Sequence, residues 1–125
     1  METLTKKEEE IMQILWQIKE GFVNDIIKEM EEEKPPYNTI SSIVRILEKK
    51  GFVDFKSFGK SHMYFPIISK AAYKKHALKK LISGYFDGSY EKVVSFIANE
   101  EVINDEEMEE IIKLKKIIEN KNNDK

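Results

Sequence analysis

Apolar residues recur with the period of a helix in the first part of this 125-residue chain. Thr5 and Glu8 stand in the order of a capping box, in which a hydroxyl and a carboxylate accept hydrogen bonds from each other's backbone N–H groups. A first helix is therefore predicted at residues 5–19, and Gly21 follows as a stop signal. Its apolar side chains follow the i, i+3, i+4, i+7 spacing of one helix face and are Ile11, Ile14, Leu15 and Ile18.

A shorter helix is predicted next. Phe22 and Val23 suit a very short strand, and Asn24 suits the N-cap of the helix that follows. The segment KPPY at residues 34–37 ends this helix, because proline lacks a backbone N–H and disfavours helix in the residue before it. The side chains expected on the buried face of the second helix are Ile26, Ile27 and Met30.

A third helix is predicted at residues 38–50, inside the segment YNTISSIVRILEKKGF. Gly51 can end it in the left-handed conformation. Its expected core stripe consists of Ile40, Ile43, Val44 and Leu47. Beyond it the period changes, and apolar residues are distributed around a tip at Gly59 and Lys60, which predicts a β-hairpin.

Three further helices are predicted in the second half of the chain. Ser69 suits the N-cap of the fourth, DGS at residues 87–89 ends it, and the segments YEKVVSFIAN and NDEEMEEIIKLKKIIEN form the fifth and sixth. Three helices followed by a hairpin is the order of a winged helix-turn-helix. The predicted fold is mainly α with a small β-hairpin: a winged helix-turn-helix domain at residues 1–68, then a helical domain at residues 69–125.

The side of the third helix opposite its apolar stripe carries short polar residues. Its members are Asn38, Ser42, Arg45 and Lys49, with Thr39 and Ser41 beside them. Short hydroxyl and amide side chains let a helix sit deep in a groove, where they bond phosphate oxygens or base edges, while an arginine reaches farther. A helix N-terminus adds its positive dipole end for phosphate. The alternative is that Asn38 and Thr39 only cap the helix and that the others form a solvated face.

Charge is unevenly distributed along the chain. The net charge of −2 argues against a general electrostatic attraction to nucleic acid. Residues 38–62, however, contain five lysines and arginines against two acidic residues, which leaves a local charge of +3. Lys56, Lys60 and His62 of the hairpin belong to this segment and favour contacts with phosphate. For Lys60, the alternative is an ordinary exposed lysine at a turn.

Several chemistries find no support in the sequence. Cysteine is absent, which excludes disulfides, thiolate metal sites and cysteine nucleophiles. His62 and His76 are the only histidines and have no spaced carboxylates around them, and no catalytic triad or phosphate-binding loop occurs. We therefore expect no metal, no cofactor and no enzymatic activity. No apolar run approaches the roughly 20 residues of a membrane span, so a cytoplasmic protein without membrane insertion is expected.

Three segments together resemble one protein family. They are LTKKEEEIMQILW at residues 4–16, YNTISSIVRILEKKGFV at residues 37–53 and GKSHMYFPIIS at residues 59–69. In order and spacing they resemble the patterns LT..E..IM..LW, YTTV...L.RL..KG and G....Y.P of the penicillinase-repressor family, also called the BlaI/MecI/CopY family of transcriptional repressors. The resemblance covers residues 4 to about 70 well and the remainder loosely.

The resemblance implies a role for each half of the chain. It places Tyr37, Thr39 and Arg45 on the pattern of a recognition helix, and Gly59 and Tyr64 in the wing. It implies that the last three helices form a dimerisation domain, so that two recognition helices meet two halves of a near-palindromic operator. The apolar content of the fifth and sixth helices agrees, because such short helices need a partner surface; the alternative is that they fold back on their own domain. The residues expected in the dimer are Val94, Phe96, Ile97, Met108, Ile111, Ile112 and Ile118.

Two departures from the family limit what the resemblance implies. Copper-responsive members carry a cysteine cluster that this chain lacks, which excludes metal-thiolate sensing. In antibiotic-responsive members, a membrane-bound sensor protease cuts an Asn-Phe bond in the fifth helix, which weakens the dimer. The matching bond here is Ser95-Phe96, with serine in place of asparagine. It is either a cleavage site or, as we favour, a position where the phenylalanine is structural.

The sequence therefore predicts a homodimeric, sequence-specific repressor whose partner is double-stranded operator DNA, with a sensor protease as a further candidate partner. The alternative from another class is a winged-helix module that binds a protein and not a specific DNA sequence. The expected DNA-binding residues are Tyr37, Asn38, Thr39, Ser41, Ser42, Arg45, Lys49, Lys56, Lys60 and His62.

Overall fold

The computed structural model describes residues 1–31, 33–100 and 102–123 of the chain. Its elements are, in order, α1 (Lys6–Ile18), α2 (Val23–Lys28), α3 (Tyr37–Lys49), β1 (Val53–Phe58), β2 (Ser61–Pro66), α4 (Lys70–Phe86), α5 (Tyr90–Asn99) and α6 (Asp105–Asn123). β1 and β2 form an antiparallel hairpin. The predicted fold class, mainly helical with a small hairpin after the third helix, is confirmed.

The chain divides into two compact units, residues 1–78 and the residues from 79 onward. The first unit extends past the predicted boundary at residue 68 because the start of α4 packs into its core. The buried Tyr73 hydroxyl accepts a hydrogen bond from the Leu4 backbone N–H at 3.2 Å, and its ring contacts Trp16 and Phe52 at centroid distances of 5.9 and 5.8 Å.

The start of α1 is the predicted capping box. The Thr5 hydroxyl accepts from the Glu8 N–H at 3.2 Å, and the Glu8 carboxylate accepts from the Thr5 N–H at 2.8 Å. These two bonds satisfy backbone donors that have no partner inside the helix. The apolar face that follows is removed from water and consists of Ile11, Met12, Ile14 and Leu15.

Glu8 also joins α1 to the end of α3. The Lys50 ammonium donates to both Glu8 carboxylate oxygens, at 2.8 and 3.0 Å, and the carboxylate is almost fully buried. Burial raises the pKa of Glu8, but the bonds from Lys50 and Thr5 outweigh it and hold the pKa below its ordinary value of 4.5. The ion pair therefore fixes the first turn of α1 against the C-terminal end of α3.

The connection between α1 and α2 differs from the prediction. The short strand at Phe22 and Val23 is wrong, as is the N-cap at Asn24. Phe22 is the N-cap residue, its N–H donates to the Asp25 carboxylate at 2.8 Å, and α2 begins at Val23. The extended backbone pairs one residue earlier, where Gly21 exchanges two hydrogen bonds with Tyr64 of β2, at 2.8 and 2.9 Å.

The turn between α1 and α2 closes tightly around Gly21. A methyl group on its Cα would lie 2.8 Å from the Ile18 Cδ1 atom and 3.1 Å from the Asp25 Cβ atom, so a larger residue would force these neighbours to shift. The backbone bridge to Tyr64 fastens the hairpin to the turn between α1 and α2.

Helix α3 starts one residue earlier than predicted, at Tyr37, directly after Pro36. The Thr39 and Ile40 N–H groups donate to the Pro36 carbonyl, so Asn38 and Thr39 lie inside the first turn and no side chain caps the helix. Gly51 ends it with φ +82°, the left-handed conformation expected there. Its fully buried residues are Ile40, Val44 and Leu47.

The second unit, taken by itself, buries little of its apolar surface. Ser89 caps α5 through the Lys92 N–H, and Phe96 packs edge to face on Phe86 at 5.6 Å between ring centroids. Of the residues expected in the dimer, Ile97 and Met108 are half-buried. The exposed ones are Val94, Phe96, Ile111, Ile112 and Ile118.

We expect Glu8→Gln to lower the free energy of unfolding at pH 7 by about 1 to 3 kcal/mol, because it leaves the partly buried Lys50 ammonium without its charge partner. The pKa of Glu8 is lower in the folded state, so the pair stabilises fully above its ordinary value of 4.5 and loses this effect as the pH falls through the folded-state pKa. Urea unfolding of both proteins should therefore give a smaller difference at about pH 3 than at about pH 7.

Glu9→Gln provides the matched control, since Glu9 lies beside Glu8 in the first turn of α1 and is exposed. It should shift the free energy of unfolding by less than about 0.5 kcal/mol. Equal effects of the two substitutions would show that the Glu8–Lys50 pair does not stabilise the fold.

Candidate nucleic-acid interface

The outer face of α3, defined as Asn38, Thr39, Ser42, Arg45 and Lys49, is exposed along the whole helix. Ser41 at its edge is half-buried, and Tyr37 at the N-terminal end keeps 52% of its surface accessible. The opposite face is the buried stripe of the core. The helix therefore presents one polar surface to solvent, as its sequence predicted.

The polar groups at the N-terminal end of α3 differ in what they can still bind. Asn38 and Thr39 are not used as caps, so their side chains are available to a ligand. The Ser42 hydroxyl donates to the Asn38 carbonyl at 2.8 Å, which occupies its proton and leaves its oxygen as an acceptor. Ser42 is thereby suited to accept a hydrogen bond from a base amino group.

Arg45 connects the outer face of α3 to the hairpin. Its guanidinium interacts with the hydroxyl of Tyr64, a residue of β2 that is only 3% exposed. Burial raises the pKa of Tyr64, the nearby Glu48 carboxylate raises it further, and Arg45 opposes both, so that the pKa stays above its ordinary value. The Tyr64 hydroxyl can therefore accept a hydrogen bond from the Arg45 guanidinium and help to position it.

The hairpin carries its predicted cations on different sides. Tyr64 pairs with Phe55 across the strands, and His62 pairs with Ser57, so these four side chains share one face. On that face the His62 ring stacks on Phe55, with 4.0 Å between centroids and 8° between planes. Lys56 projects from the other face, and Lys60 lies at the tip beside Gly59, whose φ of +63° makes the turn.

Lys56 is engaged by an acidic residue in the unbound protein. Its ammonium lies 3.4 Å from the Glu20 carboxylate and 5.5 Å from the centre of the Phe65 ring. Both side chains of the ion pair are about half exposed, so the pair is a weak surface contact that water and salt compete with. A phosphate approaching Lys56 would compete with the Glu20 carboxylate for its charge.

The cations of residues 38–62 thus fall into two groups. Lys50 and Lys56 are paired with carboxylates of the first unit. Among the residues that the structure describes, Arg45, Lys49 and Lys60 form no salt bridge. These three line the outer face of α3 and the hairpin tip, where they present positive charge that no salt bridge occupies.

Two other kinds of site are absent from residues 1–31, 33–100 and 102–123. No group of three or more histidine, aspartate and glutamate side chains is placed to hold a metal ion. No helix combines the length and the apolarity needed to cross a membrane.

The sequence of the chain matches one known protein family. The family model described as penicillinase repressor matches residues 4–119, which include α3, the hairpin and most of α6. The chain belongs to the penicillinase repressor family. The expectation from the three short segments is confirmed, and the match extends it from residues 4–70 to nearly the whole chain.

Individual proteins similar to this chain support the same family assignment. The chain is similar to proteins named methicillin resistance regulatory protein MecI from Staphylococcus aureus and Staphylococcus epidermidis, each 29% identical over 109 residues. These matches cover 86% of this chain and 89% of the relative. The corresponding protein of Mammaliicoccus sciuri is 28% identical over the same length.

Membership settles the class of activity. The penicillinase repressors are regulatory DNA-binding proteins, so this chain is a transcriptional repressor that binds DNA, and it is not an enzyme. The predicted repressor class and the absence of enzymatic activity are confirmed.

Some features of the interface escaped the sequence analysis. Glu20 gave no signal, because its contact with Lys56 joins residues 36 positions apart. The placement of Arg45 on the family pattern is wrong: set letter by letter on YTTV...L.RL..KG, the arginine position falls on Ile46, and Arg45 stands one residue earlier. The structure shows that Ile46 is exposed.

We expect Glu20→Gln to raise the affinity for random-sequence duplex DNA by about twofold to fivefold at low salt, because it frees Lys56 from a surface ion pair. Fluorescence anisotropy over a series of salt concentrations measures the effect, which should fade as salt rises. Glu10→Gln is the control: it removes the same charge from the Lys7–Glu10 pair of α1. A gain of equal size for Glu10→Gln would show that only net charge matters.

Proposed function

We propose that this repressor acts as a homodimer in the cytoplasm, where its two α3 helices enter successive major grooves of a near-palindromic operator and block transcription. The observation that carries the proposal is the outer face of α3, polar and exposed along its length, beside a hairpin whose tip lysine, Lys60, forms no salt bridge with any residue that the structure describes. In winged-helix proteins the corresponding helix reads base edges, and the hairpin lies along the backbone.

The contacts divide by chemistry. Side chains near the middle of the groove read bases, and side chains at its rim and on the hairpin bind phosphates. We assign base contacts to Thr39, Ser41, Ser42 and Arg45. We assign phosphate contacts to Asn38, Lys49, Lys56, Lys60 and His62. Tyr37, exposed at the start of α3, would lie beside the DNA backbone.

The exposed apolar surface of the second unit supports the homodimer. In α6 alone, Ile111, Ile112 and Ile118 each keep about half of their surface accessible, at 47%, 48% and 58%. Apolar surface on this scale marks a protein interface, and a two-fold axis lets one surface cover its own copy. The same axis would set two α3 helices about one turn of DNA apart, roughly 34 Å.

Inactivation by a sensor protease would act through this surface. A cut between Ser95 and Phe96 would divide the apolar residues, leaving Val94 on one fragment and α6 on the other. The bond lies within α5, so a protease must first unwind the helix around it and pull Phe96 from its contact with Phe86. Mass spectrometry of the chain after exposure to the sensor tests this part, since an intact chain would exclude it.

The alternative is a winged-helix module that binds a protein. It is favoured only by the net charge of −2 and the acidic segments outside residues 38–62. Selection from a random pool of duplex DNA separates the two functions, because the operator proposal requires one enriched, two-fold symmetric sequence, and the alternative requires none.

We expect Arg45→Ala to weaken binding to the selected sequence by about 1 to 3 kcal/mol more than it weakens binding to random DNA, because a bidentate base contact is specific. Lys60→Ala should weaken both and lower the slope of log affinity against log salt by about one, because it removes a phosphate contact. Lys113→Ala in α6 controls for the loss of a charge elsewhere. Equal losses on both DNAs for both variants would contradict the assigned roles.

We expect Ile112→Glu combined with Ile118→Glu to convert the dimer to a monomer in analytical ultracentrifugation, because carboxylates cannot be buried unpaired in an apolar interface. Affinity for the symmetric operator should fall toward that for a half-site. Lys113→Glu with Lys116→Glu introduces charge on the same helix as a control, and circular dichroism checks that α6 still forms. A wild-type chain that sediments as a monomer at micromolar concentration would refute the dimer.

A further inference from the structure

One aliphatic side chain of α3 lies exposed among the residues assigned to base contacts. Ile46 keeps 45% of its surface accessible, whereas Ile40, Val44 and Leu47 of the same helix are fully buried. Only burial converts apolar surface into stability, so the exposed part of Ile46 contributes nothing to the fold of the free chain. Its surface is available for a contact that forms only in a complex.

The position of Ile46 places that contact on the groove side of the helix. Ile46 follows Ser42 by four residues and Thr39 by seven, so the three side chains form one row along α3. Thr39 and Ser42 are exposed, and both belong to the outer face of α3. A duplex that meets these two hydroxyls therefore meets Ile46 one turn farther along.

The chemistry of the groove narrows what Ile46 can recognise. The base edges in the major groove present hydrogen-bond donors and acceptors and a single apolar group, the C5-methyl of thymine. An isoleucine has no donor or acceptor, and it would leave any polar base group beside it without a partner. The thymine methyl is the one base feature that gains from contact with this side chain.

We propose that Ile46 is a specificity residue that recognises thymine in each half of the operator through the thymine methyl group. The inference rests on the proposed binding of α3 in the major groove. The three side chains of the row would then have different contacts: the hydroxyls of Thr39 and Ser42 form hydrogen bonds with polar base edges, and Ile46 packs against a thymine methyl.

Replacing thymine by deoxyuridine isolates this contact, because it deletes the methyl and keeps every hydrogen-bonding group of the base. Each thymine of the selected operator is replaced in turn, symmetrically in both halves, and affinities are measured for the wild type, Ile46→Ala and Ile46→Val. For the wild type, replacement at one thymine position should lower the affinity about fourfold per half-site, which corresponds to the burial of one methylene-sized group. The affinity of Ile46→Val should still fall at this position, by nearly as much as that of the wild type.

Ile46→Ala should bind the thymine operator about as weakly as the wild type binds the deoxyuridine operator, and should not respond to the replacement. Since Ile46 is half exposed, the variant is expected to fold, and thermal unfolding verifies this. Losses of the same size for the wild type and Ile46→Ala at every thymine would overturn the inference while leaving the proposed function intact. A selection that enriches no sequence would overturn the proposed function itself.

Discussion

The burial of one face of α3 is the constraint on which the proposed DNA-binding surface depends. Ile40, Val44 and Leu47 are completely removed from water, and a helix with one buried face has no freedom to choose which side it shows to solvent. Turning α3 by one residue would expose part of this stripe at a cost of about 1.5 to 3 kcal/mol for each large aliphatic side chain. The core thus fixes the orientation of the polar face.

The hairpin takes its position from the same core. Tyr64 bonds through its backbone to Gly21, buries its ring beside α3 and meets Arg45 with its hydroxyl. The Glu8–Lys50 pair fixes the other end of α3 against the first turn of α1. Polar residues such as Asn38 and Ser42 lower the intrinsic helix propensity of α3 by up to roughly 0.7 kcal/mol each, and tertiary burial of the opposite stripe offsets this. A surface suited to a groove is therefore compatible with a rigid helix.

Local features of the fold could be predicted from the sequence, because their causes lie within a few residues. The capping box of Thr5 and Glu8, the stripe of α3 and the left-handed Gly51 each depend on near neighbours. The Glu8–Lys50 and Glu20–Lys56 pairs join residues 42 and 36 positions apart, and no local pattern announces them. For the same reason the sequence could identify the cations of the site but not separate the paired ones from Arg45, Lys49 and Lys60.

Hydroxyl-radical footprinting of the full chain, alone and bound to the selected operator, tests most directly whether the outer face of α3 and the hairpin form the DNA interface. Tyr37 and His62 are exposed in the free protein at the two edges of that surface, and Tyr85, 83% exposed in the second unit, is the internal reference. Operator binding should suppress oxidation of Tyr37 and His62 severalfold and leave oxidation of Tyr85 unchanged. Unchanged oxidation of Tyr37 and His62 in the saturated complex would contradict this DNA interface.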